Sequence, residues 1–183
     1  MSAPLREPAS PRLHGLPALV APHTRVLVLG SFPGLRSLQC QQYYAHPQNH
    51  FWPIVQALWP QAPWPGDGDY EQRCAALLAC GVGVWDVYAE CEREGSLDSA
   101  IREARLNDFA GLLERSPQLR GIAHNGGESF RHAKAVLRAL AEASLADRVQ
   151  VHRLPSTSPA NASWSFDRKL AAWKEVMRQH GLC

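Results

Sequence analysis

Val26-Leu27-Val28-Leu29-Gly30-Ser31-Phe32-Pro33-Gly34 is the stretch of sequence that decides the fold. Four consecutive apolar residues that end at a glycine are typical of a strand buried on both faces of a parallel sheet. The glycines of the following turn leave backbone amide groups open to a ligand. The stretch therefore predicts an α/β fold, and the segment that begins with Gly30 and Ser31 either binds a ligand or is only a tight turn after the strand.

Apolar runs and helical patterns alternate along the rest of the chain. Three further strands are predicted at residues 82–85, 119–123 and 149–154. Helices are predicted at residues 49–58, 70–79, 107–114, 130–143 and 166–179. This alternation predicts a three-layer αβα sandwich with a central four-stranded parallel sheet. Residues 1–24 are rich in proline and are expected to form an extended arm with loose ends, ahead of one domain at 25–183.

Composition limits the classes of protein that need to be considered. The chain has 183 residues, a net charge of +2 and no apolar run long enough for a membrane helix. Its five cysteines include no CxxC pair, so we expect reduced thiols and neither a disulfide framework nor a metal site. Without a secretory signal, a cytoplasmic location is expected. The weak positive charge does not by itself indicate nucleic-acid binding.

Ligands of open α/β sheets bind beyond the carboxyl ends of the strands, which directs attention to three loops and to Asp86. Residues 41–52 combine aromatic rings, amides and histidines, a set that suits a nucleobase pocket. Within this segment we expect Tyr44 and Asn49 in the site and Phe51 and Trp52 in the core. The loop at 154–161 has three hydroxyls, which bind phosphate or make turns.

Two residues that follow predicted strands have open interpretations. Asp86 ends the second strand and either accepts the N1–H of a purine or lies on the surface at the start of a turn. Asn125 follows the third strand, and there a plain turn is expected.

Taken in order, these segments resemble the uracil-DNA glycosylase superfamily. Residues 30–34 match its Gly-x-x-Pro-Gly segment, and Tyr44-Ala45-His46-Pro47-Gln48-Asn49-His50-Phe51-Trp52 is similar to the Phe-Ala-His-Pro-x-Asn-x-Phe-Trp segment of its mismatch-specific members. Residues 156–161 resemble its second signature loop, often His-Pro-Ser-Pro-x-Asn, which inserts into the duplex. The resemblance implies excision of a damaged base from DNA without a metal or cofactor.

Two departures from the usual motifs indicate a branch of the superfamily. Phe32 stands where uracil-removing members place the Asn or Asp that positions water, and Ser156 stands in place of the usual His. Both changes resemble the branch of hypoxanthine-DNA glycosylases, in which the catalytic amide carries over to Asn49. The resemblance therefore implies hydrolysis of the glycosidic bond of deoxyinosine.

The resemblance and the residue types together assign expected roles to thirteen residues. Catalytic roles are expected for Asn49 and Ser156. Contacts to the flipped base are expected for Gly30, Ser31, Phe32, Tyr44 and Asp86. Contacts to the DNA are expected for Ser37, His46, Ser158, Pro159, Ala160 and Asn161. We expect a monomer that acts on damaged DNA, either on a base flipped from a duplex or on a single strand.

Three other interpretations remain open at the level of sequence. A non-enzymatic nucleotide-binding module would explain the glycine turn and the hydroxyl loop but not residues 44–52. A Ser-His-Asp hydrolase lacks the Gly-x-Ser-x-Gly elbow that such enzymes use. A uracil-specific enzyme of the same superfamily would differ only in its substrate.

Overall fold

A computed structural model describes residues 11–66, 69–142 and 148–183. Its strands are β1 (Arg12–His14), β2 (Val26–Gly30), β3 (Val82–Asp86), β4 (Tyr88–Glu92), β5 (Arg102–Leu106), β6 (Gly121–Asn125) and β7 (Gln150–Leu154). Its helices are α1 (Leu35–Cys40), α2 (Phe51–Leu58), α3 (Tyr70–Ala79), α4 (Leu112–Arg115), α5 (Gly127–Phe130), α6 (Ala133–Glu142) and α7 (Phe166–Gln179). None of these helices has the length and apolar character needed to cross a membrane.

The central sheet has four parallel strands in the order β3-β2-β6-β7, which confirms the predicted sheet. Side chains of β2 alternate between two cores, as the pleat of a strand requires. Val26 and Val28 face a core that includes Trp173 of α7, whereas Leu27 and Leu29 face a second core that includes residues of α4 and α6. The sheet is therefore covered on both faces, as expected for a three-layer sandwich.

The carboxyl ends of the inner strands create the place for a ligand. From β2 the chain crosses to β3 on one side, and β6 lies on the other side, so the strand order reverses between β2 and β6. Gly30 pairs with Asp86 at the end of β2, and Asn125 ends β6 beside Leu154. Ligands of open α/β sheets bind at such a reversal point.

A second sheet, which the sequence did not predict, has three antiparallel strands in the order β1-β4-β5. Through β1 it includes part of the predicted arm, and Leu19 bridges Val84 of the central sheet. Residues 11–24 therefore pack against the domain instead of hanging loose. Residues 1–10, the remainder of the predicted arm, lie outside the described residues.

Several predicted boundaries differ from the structure for local reasons. The strand predicted at residues 119–123 begins at Gly121, as β6, because the Leu119 N–H donates to the Ser116 carbonyl and forms a turn before it. The helix predicted from residue 107 begins only at Leu112, because the Asp108 carboxylate accepts the Ala110 N–H and forms a turn first.

The helix predicted to begin at residue 130 begins only at Ala133, and Phe130 is instead the last residue of the short helix α5. The His132 N–H donates to the Ser129 carbonyl, a three-residue spacing that interrupts the α-helical repeat between α5 and α6. Residue 143, the predicted end of that helix, lies outside the described residues.

Candidate functional site

A cavity of about 660 Å³ opens at the carboxyl edge of the central sheet. Its volume falls within the range of roughly 300–1,000 Å³ that is common for small-molecule sites. The sequence-predicted residues that line it are Gly30, Ser31, Phe32, Ser37, Tyr44, His46, Asn49, Asp86, Ser156, Ser158, Pro159, Ala160 and Asn161. The fold thus brings all thirteen predicted site residues to one cavity.

The loop after β2 forms one wall and is fastened to residues 96–99. The Ser31 hydroxyl donates to Asp98 at 2.6 Å, and the Leu35 N–H donates to the Ser96 hydroxyl at 2.9 Å. Gly30 lies so close to Asp86 that a Cβ at residue 30 would be 2.4 Å from Oδ1 of Asp86. This wall therefore requires glycine at position 30 for space.

Tyr44 is held by a stack and a hydrogen bond. Its ring is stacked on Phe51 with centroids 4.0 Å apart, and its hydroxyl accepts from the Asn125 side chain at 3.2 Å. Its φ of 54° is unusual outside glycine and is often found where a fold forces a functional geometry. Burial raises the pKa of Tyr44, so the hydroxyl stays neutral. The predicted core positions of Phe51 and Trp52 are confirmed.

Asn49 uses one end of its amide to order the start of α2. Its Oδ1 accepts the Phe51 N–H at 2.9 Å, while its Nδ2 has no hydrogen-bond partner within the described parts of the chain. The side chain lines the cavity and is half-buried. What Asn49 has available for a ligand is therefore a hydrogen-bond donor.

Asn125 is not merely part of a turn, which corrects the expectation from sequence. It is buried, and its Oδ1 accepts the Thr157 N–H at 2.9 Å. Its Nδ2 donates to the Thr157 hydroxyl at 2.9 Å. Since Nδ2 also donates to the Tyr44 hydroxyl, one amide links the end of β6 to the loop after β7 and to Tyr44.

The loop after β7 is ordered by its own polar groups. The Ser156 hydroxyl accepts the Ser158 N–H at 3.2 Å, and the Asn161 amide donates to the Ser156 carbonyl at 3.0 Å. Pro159 and Ala160 are exposed at its tip. Asn161 therefore supports the loop from within, whereas the two tip residues are free to contact a ligand.

Ser37 differs from its predicted place on the surface that would face DNA. It is 5% exposed, and its hydroxyl accepts the Ala45 N–H at 3.1 Å. The buried hydroxyl thus stabilises the loop at residues 41–50 and is not exposed to a phosphate of the DNA. This is a correction to the expectation that Ser37 contacts the DNA backbone.

Asp86 is buried at the end of β3 and is not the surface residue that one interpretation expected. It is 4% exposed, and Asn107 donates to its main-chain carbonyl at 2.8 Å. Burial and, to a smaller extent, the charge of Asp98 raise the pKa of Asp86, the charge of Arg93 lowers it, and together they bring it to about 7. A carboxyl with this pKa changes its charge near neutral pH.

Sequence reasoning missed the contribution of the segment between β4 and β5. Ser96, Leu97, Asp98 and Ser99 line the cavity, and Leu97 is 60% exposed at its rim. The glycine at residue 95, with a φ of 69°, was the available signal that two short strands form a hairpin here.

Arg93, in the same segment, packs beneath the cavity wall. Its guanidinium carbon lies 5.1 Å from the centre of the Phe32 ring, and it donates a hydrogen bond to the Pro33 carbonyl. It is 5% exposed, so this cation supports the loop after β2 and is withdrawn from solvent. In the described residues, no three His, Cys, Asp or Glu side chains are grouped so that they could hold a metal ion.

Comparisons with known proteins agree with this geometry. The family model of the uracil DNA glycosylase superfamily matches residues 17–177. A protein of Methanosarcina acetivorans named hypoxanthine DNA glycosylase is 36% identical over 165 residues, covering 90% of this chain and 97% of that protein. A protein of the same name from Methanosarcina barkeri is 31% identical over 169 residues, covering 90% and 98%.

A solved structure is similar as well. It is a solution NMR structure of a candidate uracil DNA glycosylase from Methanosarcina acetivorans. The TM-score is 0.75 at 35% identity, and the match covers 93% of this chain and 99% of that one.

Proposed function

The chain belongs to the uracil DNA glycosylase superfamily, and we propose that it hydrolyses the N-glycosidic bond of deoxyinosine in DNA and releases hypoxanthine. The observation that carries this proposal is the meeting of three motif segments at one cavity. Phe32, Asn49 and Ser156 come from loops far apart in sequence and line the same cavity at the carboxyl edge of the sheet. The two relatives named hypoxanthine DNA glycosylase support the choice of base.

Breaking this bond requires stabilisation of the leaving base. The bond breaks through an oxocarbenium-like sugar, and negative charge moves onto the base, so polar donors aimed at the base lower the barrier. The free Nδ2 of Asn49 is such a donor. Ser156 would assist from the neighbouring loop, which the His50 N–H joins through the Thr157 carbonyl. Phe32 would contact the base with its ring because it cannot orient water by hydrogen bonding.

The target base must leave the helix before it can enter the cavity. Extrusion costs a few kcal/mol and costs least for a mispaired or unpaired base. We infer that the exposed tip residues Pro159 and Ala160 occupy the gap that the base leaves, and that Tyr44 lines the pocket. His46 and Ser158 would lie against the flanking backbone. All thirteen predicted site residues lie at one cavity of a single chain, and we propose that the monomer is the active unit.

A panel of matched duplexes tests the proposal. Each duplex carries hypoxanthine, xanthine, uracil or adenine at one position, and alkali-labile sites are measured under single-turnover conditions. We expect hypoxanthine to be released fastest and adenine, the undamaged control, to remain. Release of uracil with little release of hypoxanthine would contradict the substrate, and binding without release of any base would contradict the enzyme.

A further inference from the structure

Asp86 is a buried carboxyl with unusually few partners. Its Oδ2 atom is fully buried and accepts no hydrogen bond from residues 11–66, 69–142 and 148–183. The ion pairs found in these ranges leave it out. Burying an ionised carboxylate without donors or a paired cation is costly, whereas burying the neutral acid costs much less.

The charged and titratable groups around Asp86 do not restore its ionised form. Asp98, from the segment between β4 and β5, adds a second negative charge. Arg93 attracts the carboxylate, but from beyond ion-pair distance, and its guanidinium is already bonded to the Pro33 carbonyl. Burial and the charge of Asp86 raise the pKa of the Tyr43 and Tyr44 hydroxyls, so both stay neutral and neither supplies a charge that would favour the carboxylate.

We propose that Asp86 meets the flipped base as a neutral carboxylic acid and donates a hydrogen bond to the carbonyl oxygen of that base. The inference rests on the proposed function and specifies how the same site would recognise hypoxanthine. The base has an N1–H donor beside its O6 acceptor. Because Oδ2 is fully buried, Oδ1 would carry the proton and donate the hydrogen bond to O6, whereas an ionised carboxylate offers only acceptors.

The same hydrogen bond would promote the reaction. When the bond between C1′ and N9 breaks, its electron pair moves into the purine, and O6 becomes more negative. A donor already aimed at O6 therefore binds the transition state more tightly than the substrate. An ionised Asp86 would instead repel O6 as the charge develops.

Single-turnover release of hypoxanthine from pH 6 to pH 9 tests this inference with the wild type and Asp86→Asn. We expect the wild-type rate to fall roughly a hundredfold over this range as the acid ionises. Asparagine has a donor and an acceptor at the same positions and does not titrate. Its rate should stay level, within about tenfold of the wild type at pH 6 and above the wild type at pH 9.

A rate that is level or rises with pH in the wild type would overturn the inference, and so would an Asp86→Asn rate below the wild type at every pH. Asp98→Asn is a further variant, for which we expect a shift of the pH profile in one direction. The charge of Asp98 raises the pKa of Asp86, so its removal should move the fall in rate to lower pH. An unchanged profile in Asp98→Asn, or one moved to higher pH, would also count against it.

A stability measurement keeps the inference testable whether or not hypoxanthine is released. The folded-state pKa of Asp86 lies above its unfolded value, so the folded protein binds more protons between pH 4 and pH 7. The wild type should therefore lose stability relative to Asp86→Asn as the pH rises from 5 to 8, seen as a lower denaturant midpoint. An equal shift in both proteins would overturn the neutral state. Failure of the proposed function would appear separately, as no release by the wild type at any pH.

Discussion

Asn49→Ala is expected to lower the single-turnover rate of hypoxanthine release by at least about a hundredfold, because a preorganised donor is removed from the leaving base; one such group is commonly worth roughly 3 kcal/mol. In the structure, the Oδ1 of Asn49 accepts the Phe51 N–H, and Nδ2 has no partner among the residues that the structure describes. The rate is measured on a duplex with one deoxyinosine, at enzyme in excess over DNA.

Alanine at this position also removes an acceptor at the start of α2, which typically costs about 1 kcal/mol. Asn49→Asp is the matched control for stability, since aspartate keeps the acceptor for Phe51. It replaces the amide donor by a carboxylate oxygen, whose negative charge also opposes charge on the leaving base. We expect Asn49→Asp to be as slow as Asn49→Ala while its thermal unfolding stays close to the wild type. A fast Asn49→Asp variant would instead indicate that an oxygen of residue 49 activates water.

Gly30→Ala is also expected to slow the reaction, through space and not through backbone conformation. A Cβ at residue 30 would lie 2.4 Å from Oδ1 of Asp86 and 3.4 Å from the Tyr44 hydroxyl. Both neighbours line the cavity, so the clash must displace the base-binding wall. Overpacking of this kind typically costs about 1–3 kcal/mol. We expect a loss of stability of this size. We also expect release of hypoxanthine to be at least about tenfold slower, which corresponds to an activation barrier raised by about 1.4 kcal/mol.

Gly34→Ala is the control for this effect, since it alters the other glycine of the same segment. A Cβ there would lie 3.5 Å from the Ser96 hydroxyl, an ordinary contact, and the φ of −65° suits alanine. Gly34 is the N-cap residue of α1, where alanine is less favourable than glycine, so a small loss of stability is expected, but the rate should match the wild type. If Gly30→Ala has the same unfolding midpoint and the same rate of hypoxanthine release as Gly34→Ala, the close approach of Gly30 to Asp86 has no functional consequence.

The central sheet could be predicted from the sequence because its signals are local. The apolar run at 26–29 can only be a buried strand or a buried helix segment, and its length favours the strand. The helices α3 and α7 begin where Asp69 and Ser165 accept N–H groups of the first turn, a signal carried by single residues.

The second sheet could not be predicted, because distant residues stabilise it. Every residue of β5 is exposed, so no alternation of apolar and polar residues marks it. Its partner strand carries Glu90, which forms ion pairs with Arg12 on one side and with Arg105 on the other. These contacts exist only once the chain has folded back on itself.

The candidate site shows the same division between local and distant information. The motif residues that follow the strands could be predicted because ligands of open α/β sheets bind beyond the carboxyl ends of the strands. Arg93 and Asp98 were missed because the unpredicted hairpin brings them there. The protonation state of Asp86 could not be predicted from the sequence either. It depends on burial and on the charge of Asp98, which lies twelve residues further along the chain.

The most direct measurement of the central proposal is the identity of the product. A duplex with one deoxyinosine is incubated with the purified chain, and the small-molecule and DNA fractions are analysed separately by mass spectrometry. We predict free hypoxanthine in equal amount to an abasic site in an otherwise intact strand. The proposal would be contradicted if the chain released uracil from a matched deoxyuridine duplex but no hypoxanthine from the deoxyinosine duplex. It would also be contradicted if the strand were cut with the deoxyinosine still in place.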